Sequence, residues 1–423
     1  MVTVREELKQ RRKGCPAVRI RALIAITLML SVLATGCQLT YLFHVGAGHF
    51  RLLYGSIPVE KALKDDSLTP KQKEHLRLVA QVKEFGQREL GLKETQNYQT
   101  VYLKSRRSPI YVVSASPKDQ LSRKTWWFPV VGEMPYLGFF DIKRAREEKK
   151  KLVNNGLDVT IGAADAYSTL GWFKDPLTLN LLEGSTVELV EIILHEMTHA
   201  TLYVKAEGEF NEALAVMVGK VGTFQFLERT HGLSHPLSIE AQNAIEDERL
   251  FSAFLNSLLE KLERLYNSSL GFDKKLIERE KIFARALERF GNLKSSFKTR
   301  RFDGFGSVEL NNAYLLSTAL YHQHFHIFEA LLKQKEYSIR ETLMFFRDLA
   351  KRNANIMDWL RDWYGSEANR FELNSAGCRI SKSQADVCGC EYMQAQGHGT
   401  FFRSRGIVCC PRRVESVLCW TRN

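Results

Sequence analysis

The feature that most constrains this chain is a pair of histidines, His195 and His199, which flank Glu196 in the sequence HEMTH. Histidines at positions i and i+4 lie one turn apart on the same face of an α-helix, so both imidazoles can reach one zinc ion. Glu212 follows downstream and can supply the third ligand of a catalytic zinc, with one coordination position left for water. Glu196 can then act as general base toward that water. The spacing therefore predicts a catalytic zinc site.

The residues around this motif predict two helices joined by a short turn. Ser185 and Glu188 form a capping-box pattern directly before a stretch with apolar residues at helical spacing. A second apolar helical stretch begins at Asn211, and the run KAEGE at 205–209 gives the chain room to reverse between them. The alternative is an ordinary helix that carries two surface histidines. The cap, the motif and the second helix together favour the metal site.

The N-terminal residues 1–36 have the pattern of a bacterial lipoprotein signal peptide. A basic segment precedes the uncharged run 22–34, which is shorter than the roughly 20 residues that span a bilayer. The sequence ATGC at 34–37 resembles a lipobox, although Leu is more usual at the position of Ala34. We therefore expect cleavage before Cys37, acylation of that cysteine and attachment to the membrane through the lipid. A short membrane anchor, or a plain secretory signal with a chance cysteine, is the alternative.

The residue after the cysteine predicts the location of the protein. Gln38 stands there, rather than the Asp that is associated with retention at the inner membrane. We therefore expect a protein of the cell envelope that is lipid-anchored at the outer membrane and faces the periplasm.

The charge of the chain does not indicate a nucleic-acid-binding protein. The formal net charge is +12, but most of the excess of basic over acidic residues lies in the leader and in the C-terminal tail. The body between them is nearly balanced and lacks the basic patch that a polyanion would require. We therefore expect a peptide substrate and no nucleic acid partner, while the oligomeric state is left open.

The cysteines divide the chain in the same way. Of the eight cysteines, two lie at positions 15 and 37 and six lie in 378–423. A body without disulfides needs a full hydrophobic core, which a chain of this length can form. We interpret 361–423 as a Cys- and Arg-rich tail outside the fold, with a disulfide-held appendage as the alternative.

The pattern of apolar residues predicts one α+β domain over 37–360, which is mainly helical. Short strands are expected from apolar or alternating runs, and helices from apolar residues at a spacing of three to four. The expected order is a small sheet, the HExxH helix and a C-terminal helical bundle. The predicted strands are 101–103, 110–114, 125–132 and 158–161. The predicted helices outside the motif are one that begins after the N-cap Thr69 and carries apolar residues through Phe85, and those at 142–154, 239–265, 275–290, 310–332 and 339–360.

Several blocks of the sequence together resemble the bacterial putative aminopeptidase family. These blocks are WWFPVVG at 126–132, GLDV at 156–159, the run 166–176, HEMTH at 195–199, FNEALA at 210–215 and NNA at 311–313. The resemblance covers roughly residues 37 to 355 and implies a lipoprotein with a zincin-like fold and a gluzincin-like HExxH…NE zinc site. Leu137 departs from the family, which tends to carry Arg in the block PYLG at 135–138. The activity in the family's description is itself an inference from the zinc motif.

A zinc peptidase also needs a donor for the developing oxyanion and, if it is an aminopeptidase, a carboxylate for the substrate amine. Tyr167 is the first candidate donor because it lies in the block just before the metal helix. Tyr203 and Tyr321 are the runners-up, and Glu133 and Asp175 are the candidate carboxylates, each with an ordinary surface role as the alternative. His322, His324 and His326 are spaced by two, so they cannot share one helical face. We interpret them as polar surface residues rather than ligands.

Two other functions remain open on the sequence alone. One is an envelope-anchored binding or assembly protein with a structural zinc site, although Glu196 and the lack of a fourth nearby Cys or His favour a catalytic site. The other is an endopeptidase or amidase that acts on cell-wall peptides, which the predicted location suggests.

Overall fold

A computed structural model describes residues 37–104, 110–128, 132–163, 174–352, 355–377, 390–393 and 401–404. The chain divides into two compact units, 1–359 and 360–423. The fold is α+β and mainly helical, as the sequence predicts. Among the described residues, no helix combines the length and the apolar character that crossing a membrane requires.

The first part of the larger unit carries most of the strands. Its elements in chain order are α1 (Cys37–Tyr54), β1 (Ile57–Pro58), α2 (Val59–Ala62), α3 (Pro70–Arg88), β2 (Thr100–Tyr102), β3 (Tyr111–Ser116), β4 (Trp126–Phe128), β5 (Gly132–Met134), β6 (Leu137–Phe139), α4 (Ile142–Asn154), β7 (Asp158–Ala163), β8 (Leu177–Thr178) and α5 (Leu179–Glu183).

The strands form small separate sheets. The order β6-β3-β7 is wholly antiparallel, and the order β1-β2-β8 pairs β1 with β2 antiparallel and β2 with β8 parallel. β4 and β5 form a two-stranded hairpin. Helix α4 packs on β3 and β7, where Leu152 and Ala145 join a core that includes Leu137 and Phe139 of β6. Leu137 is thus a core residue.

The second part of the larger unit is helical. It contains α6 (Thr186–Thr201), α7 (Gly208–His231), α8 (Pro236–Tyr266), α9 (Phe272–Leu293), a 3-10 turn (Lys294–Ser296), α10 (Asn312–His322), α11 (Phe325–Gln334), α12 (Ile339–Arg352) and α13 (Ile356–Gly377). The helices α8, α9 and α10 enclose a core rich in Phe, with Phe251 and Phe302 stacked at a centroid distance of 4.0 Å. This is the C-terminal bundle that the sequence predicts.

One buried group of side chains ties this bundle to the sheet. Asn312 donates through its amide to the carbonyls of Pro117 and Gln120, at 2.9 and 3.2 Å, and its backbone N–H donates to the carboxylate of Asp158. Arg279 of α9 donates to the same carboxylate at 2.9 Å. These bonds satisfy polar groups that would be costly to bury alone. The NNA and GLDV blocks are therefore in contact in the folded chain.

Two stretches predicted as single helices are each divided in two. The 310–332 stretch breaks between α10 and α11 at Gln323 and His324. Its periodicity continues across the break, but the carbonyl of Gln323 accepts hydrogen bonds from Ser252 and Asn256 of α8, at 3.2 and 2.9 Å. The 339–360 stretch similarly divides into α12 and α13. Bonds to a distant helix leave no trace in the local pattern, so the sequence could not predict the first break.

The smaller unit contains the rest of α13 and an antiparallel pair, β9 (Cys390–Met393) and β10 (Phe401–Ser404). Helix α13 continues to Gly377, beyond the end of the apolar pattern at Leu360. Good helix formers such as Glu, Ala and Arg can continue a helix without an apolar stripe. That the tail stands outside the functional domain stays a prediction.

Candidate functional site

Helix α6 carries the two histidines on one face. The capping box at its start is formed as predicted, because Ser185 Oγ accepts from the Glu188 N–H while the Glu188 carboxylate accepts from the Ser185 N–H, both at 3.1 Å. Further along the helix, the rings of His195 and His199 lie 4.7 Å apart between centroids. Their Nε2 atoms are 3.1 Å apart. Both imidazoles therefore present Nε2 to the same point.

Helix α7 brings Glu212 to that point because the preceding residue fixes the turn between the helices. The side chain of buried Asn211 accepts from the Val204 N–H at 2.9 Å and donates to the Val204 carbonyl at 2.7 Å. Glu212 comes next, and its Oε2 lies 3.3 Å from His195 Nε2 and 3.5 Å from His199 Nε2. The two neighbouring residues therefore have different roles: Asn211 stabilises the chain reversal through its hydrogen bonds, and Glu212 faces the histidines.

A glycine allows α6 and α7 to approach closely beside the histidines. A Cβ added at Gly219 would lie 3.0 Å from the backbone oxygen of Glu191 and 3.5 Å from the Cβ of His195. Any larger residue would therefore press against the turn that precedes His195. The close approach is part of what holds the two helices in register at the site.

The three side chains fit a metal ion. The separations between His195 Nε2, His199 Nε2 and Glu212 Oε2 are 3.1, 3.3 and 3.5 Å. A tetrahedral zinc with bonds of about 2.0–2.1 Å would place its ligands about 3.3 Å apart. Within the described residues this is a group of metal-binding type that could hold an ion. The donor set of two imidazoles and one carboxylate is one that catalytic zinc sites use.

The electrostatics of the triad couple the carboxylate to the imidazoles. Burial alone would raise the pKa of Glu212, but hydrogen bonds from His195 and His199 hold that pKa well below its usual range. Burial would lower the pKa of His199, but its bond to Glu212 raises that pKa instead. Glu212 is therefore anionic at neutral pH, which is the form that binds a cation.

Glu196 lies between the two histidines, with a buried Oε2 that has no hydrogen-bond partner among the described residues. Two tyrosines that the sequence did not single out lie near the carboxylates of the site. Burial raises the pKa of Tyr98, and the charge of Glu196 adds to this effect. Burial likewise raises the pKa of Tyr136, with contributions from Glu212 and Glu196. Both phenols therefore stay protonated and can donate hydrogen bonds.

Two of the three tyrosines that the sequence nominates lie beside this site. The ring of Tyr321 is 6.4 Å from the ring of His195. Burial raises the pKa of Tyr203, and the negative charge of Glu212 raises that pKa further. Tyr167 lies outside the described residues. Its predicted role as oxyanion donor therefore stays a prediction.

The two carboxylates nominated for the substrate amine differ in environment. Glu133 is exposed on β5. Asp175 is buried, with 1% of its surface exposed, and it bonds to Asn97 through both its backbone N–H and its carboxylate. The interpretation of Asp175 as a surface acid is therefore wrong. Its position just after a loop-like run gave no sign of this burial.

Of the histidines at 322, 324 and 326, His324 is buried, so its interpretation as a surface residue is wrong, whereas His322 and His326 are half-buried. His322 Nδ1 lies 2.7 Å from the buried carboxylate of Glu248. His324 is buried, and its Nε2 lies 3.4 Å from Glu209, which also pairs with Arg123 at 2.7 Å. The carboxylates that His322 and His324 meet belong to other helices. Spacing along a single helix could not predict that.

Sequence reasoning also missed a buried network of charges beneath the site. Glu191, one turn before His195 on α6, pairs with Lys220 at 2.9 Å and with Arg301 at 2.7 Å. Lys220 extends to Glu248 at 3.3 Å. Buried charges of this kind are tolerated only when they are paired. The signal available in the sequence was the charged Lys220 inside the otherwise uncharged run 213–227 of α7.

Comparison with known protein families agrees with the family resemblance of the sequence. No curated protein and no solved structure matches the chain significantly. The family model described as putative aminopeptidase matches residues 40–357. That match covers most of the chain, which therefore belongs to the putative aminopeptidase family.

Proposed function

We propose that this protein is a zinc-dependent peptidase, with the aminopeptidase specificity of its family's description, anchored at the bacterial cell envelope. The observation that carries the proposal is the convergence of His195, His199 and Glu212 next to a Glu196 carboxylate with an unpartnered oxygen. A purely structural zinc site would close with a fourth protein ligand and would need no base. This supports the peptidase over a binding protein with structural zinc.

The chemistry divides between the ion and the side chains. A zinc ion at this triad supplies Lewis acidity toward a carbonyl and acidifies water. Glu196 accepts the proton of the attacking water and then delivers it to the leaving amine. Tyr136, a phenol whose pKa burial and the charge of Glu212 both raise, is a described candidate for donating to the oxyanion that develops on the carbonyl, beside the predicted Tyr167.

The preference for a free amino terminus rests on the family's description. An exopeptidase needs a carboxylate that is available to the substrate's ammonium group. Glu209 lies one turn before Glu212 on α7, but Arg123 and His324 already oppose its charge. Because Arg123 already pairs with this carboxylate, an endopeptidase or amidase is the second candidate, and the proposed location at the cell envelope suggests cell-wall peptides as its substrates.

The membrane anchor at Cys37 has one supporting feature in the fold. Cys37 is the first residue of α1, and this helix exposes Phe43, Phe50 and Tyr54, which are 72%, 58% and 83% exposed. Apolar rings on one side of a helix that starts at a lipidated cysteine would lie against the lipid surface. The outer membrane, facing the periplasm, is the proposed location because of Gln38.

The proposal is tested with Glu196→Gln, which removes the base and spares the metal ligands. Zinc-loaded wild type should cleave peptides with a free amine faster than the same peptides N-blocked. Glu196→Gln should keep its zinc and lose turnover by several orders of magnitude. Glu260→Gln, an exposed position on α8, is the matched control and should behave as wild type. Unchanged turnover in Glu196→Gln would refute the mechanism, and a preference for blocked peptides would favour the endopeptidase.

A further inference from the structure

A small cavity, here called the α10 cavity, lies between the sheet and α10. Its walls include Ala115, Arg123, Tyr136, Ala313, Leu316 and Ser317. Its volume is about 10 Å³, which is close to the least space that one water molecule needs. The α10 cavity can therefore hold one polar atom of a ligand, but no bulky side chain.

Arg123 forms the charged wall of the α10 cavity. Its Nη1 donates to the Glu209 carboxylate at 2.7 Å, and its Nη2 donates to the Leu316 carbonyl at 3.2 Å. Its Nε is buried and has no hydrogen-bond partner among the described residues. A buried N–H group without an acceptor is costly and rare in folded proteins. An acceptor oxygen in the α10 cavity would supply the missing bond.

The guanidinium group of Arg123 is held in place from three directions. The N–H of Lys124 donates to the Ala115 carbonyl at 2.8 Å, so the segment that carries Arg123 is fixed to β3. Glu209 fixes the same side chain to α7, and the Leu316 carbonyl fixes it to α10. A donor that is already oriented loses little further conformational entropy when it binds a ligand. The side chain is 21% exposed, so a ligand can reach it from solvent.

The α10 cavity lies about one helical turn from the metal triad along two helices. On α10, Ser317 lines the cavity, and Tyr321, four residues later on the same face, has its ring 6.4 Å from the ring of His195. On α7, Glu209 pairs with the guanidinium group and precedes the ligand Glu212 by three residues. These offsets correspond to about 6 and 4.5 Å along the helix axes. Residues of an extended peptide are about 3.3 Å apart, so a peptide at the triad has another carbonyl within reach of the cavity.

The charges around Arg123 favour a neutral acceptor over an anion. Glu209 already balances the guanidinium charge at 2.7 Å. The other oxygen of the same carboxylate lies 3.4 Å from His324 Nε2. A second carboxylate in the α10 cavity would add a negative charge without a counter-charge of its own, and burying such a charge is costly. A peptide carbonyl accepts the same hydrogen bond without that cost.

We propose that the α10 cavity is a substrate subsite, in which the Nε–H of Arg123 donates to a backbone carbonyl oxygen of the peptide other than the carbonyl that is cleaved. One water holds the same place in the protein without substrate. Arg123 binds the peptide and takes no part in bond breaking. The kinetic consequences of this inference rest on the proposed peptidase function, whereas peptide binding in the cavity can be measured without turnover.

The first test compares two substrates in the zinc-loaded Arg123→Lys protein. Lysine can keep the ion pair with Glu209 but has no Nε–H donor at the cavity. The kcat/KM for tetra-alanine should fall about 10-fold, mostly through KM, the usual effect of losing a bond from a charged donor that binds ground state and transition state alike. Alanine 4-nitroanilide contains only the carbonyl that is cleaved, so its kcat/KM should not change. An equal loss with both substrates, or no loss with tetra-alanine, would overturn the subsite.

The matched control is Arg249→Lys. Arg249 also pairs with a glutamate, Glu329, at 2.6 Å, but it does not line the α10 cavity. This variant should cleave both substrates as wild type does. A selective loss with tetra-alanine in Arg249→Lys would show that the effect does not come from the cavity and would overturn the assignment.

A second variant fills the cavity and keeps the guanidinium group. Ser317→Val replaces a small wall residue by a larger one and should cause the same selective loss with tetra-alanine, so the test does not depend on the folding of Arg123→Lys. Normal cleavage of tetra-alanine by Ser317→Val would count against the subsite. Tetra-alanine amide separates a backbone carbonyl from the terminal carboxylate. A loss that is seen with the free acid and not with the amide would assign the cavity to a carboxylate and overturn the carbonyl.

Crystal structures separate this inference from the peptidase proposal. If wild type cleaves no peptide, the peptidase proposal fails, but crystals of zinc-loaded Glu196→Gln soaked with tetra-alanine still decide the subsite. A carbonyl oxygen of the peptide should lie within hydrogen-bond distance of Arg123 Nε, at the place where peptide-free crystals show a water. Crystals in which the peptide leaves that water in place, or in which no peptide binds, would overturn the inference.

Discussion

Zinc-dependent stabilisation should distinguish three glutamates that lie close together on α6 and α7. Glu212 contacts both imidazoles, and Glu209 pairs with Arg123 and His324. The buried Oε2 of Glu196 forms no hydrogen bond with either imidazole. We therefore compare Glu212→Gln, Glu196→Gln and Glu209→Gln by thermal unfolding with and without zinc. Each substitution removes one charge and keeps the shape of the side chain.

The size of the effect follows from mass action. At a free zinc concentration 100 times its Kd, binding adds about 2.7 kcal/mol to the free energy of unfolding. A domain of about 150–250 residues gains roughly 2–4 °C per kcal/mol, so wild type should gain about 5–10 °C, with the low end expected for this larger unit. If Glu212→Gln weakens zinc binding about 100-fold, the same zinc concentration adds only about 0.4 kcal/mol. The shift then nearly vanishes.

The other two variants serve as controls, because both should keep the zinc-dependent shift that Glu212→Gln loses. Glu196→Gln should keep the full zinc-dependent shift because its side chain is not a ligand. Glu209→Gln should lower the melting temperature of the metal-free protein, since it breaks a partly buried ion pair, and should keep the zinc-dependent shift. Each shift is measured against the metal-free form of the same variant. A full shift in Glu212→Gln, or its loss in Glu196→Gln, would refute the assignment of the ligands.

Three further predictions concern the oxyanion donor, the anchor and the tail. Tyr136→Phe and Tyr167→Phe each remove a hydroxyl, and the one that donates to the oxyanion should lower kcat by about 100-fold or more with zinc retained; equal and normal kcat in both would exclude the two residues. Cys37→Ser should abolish labelling by a radioactive fatty acid and release the protein from the membrane fraction or leave its leader uncleaved; an unlabelled wild type would contradict acylation. Truncation after Asn369 should leave zinc content, melting temperature and activity unchanged, whereas a melting temperature that falls on truncation, and equally on reduction of the full chain, would indicate a disulfide-held appendage worth a few kcal/mol.

The parts of the fold that the sequence predicts are those encoded within one or two helical turns. The capping box of Ser185 and Glu188, and the limits of α4 at Ile142 and Asn154, depend on local bonds and local spacing. The metal triad depends on one helix plus one reversal, and buried Asn211 fixes that reversal next to the ligand in sequence. Such features can be predicted from the sequence because the residues that cause them lie close together in the chain.

The parts that the sequence does not predict depend on contacts between distant residues. The break at Gln323 is stabilised by side chains of α8, and the burial of Asp175 depends on Asn97, which lies 78 positions away. His324 is buried against Glu209, more than a hundred positions earlier in the chain. Periodicity describes which face of an element is apolar. It does not describe which distant carbonyl or carboxylate a polar residue will meet.

Unsatisfied buried polar atoms occur in several parts of the described fold, and some of them belong to the candidate site. Buried polar groups in folded proteins are nearly always bonded, so each exception calls for a reason. Away from the triad, Asp158, Asn312 and Tyr266 form a buried network in which each of the three is bonded. At the candidate site, Glu196 Oε2 is left open. A water or a substrate bound beside the metal triad would supply its missing hydrogen bond, so the role proposed for Glu196 gives a physical reason for this exception.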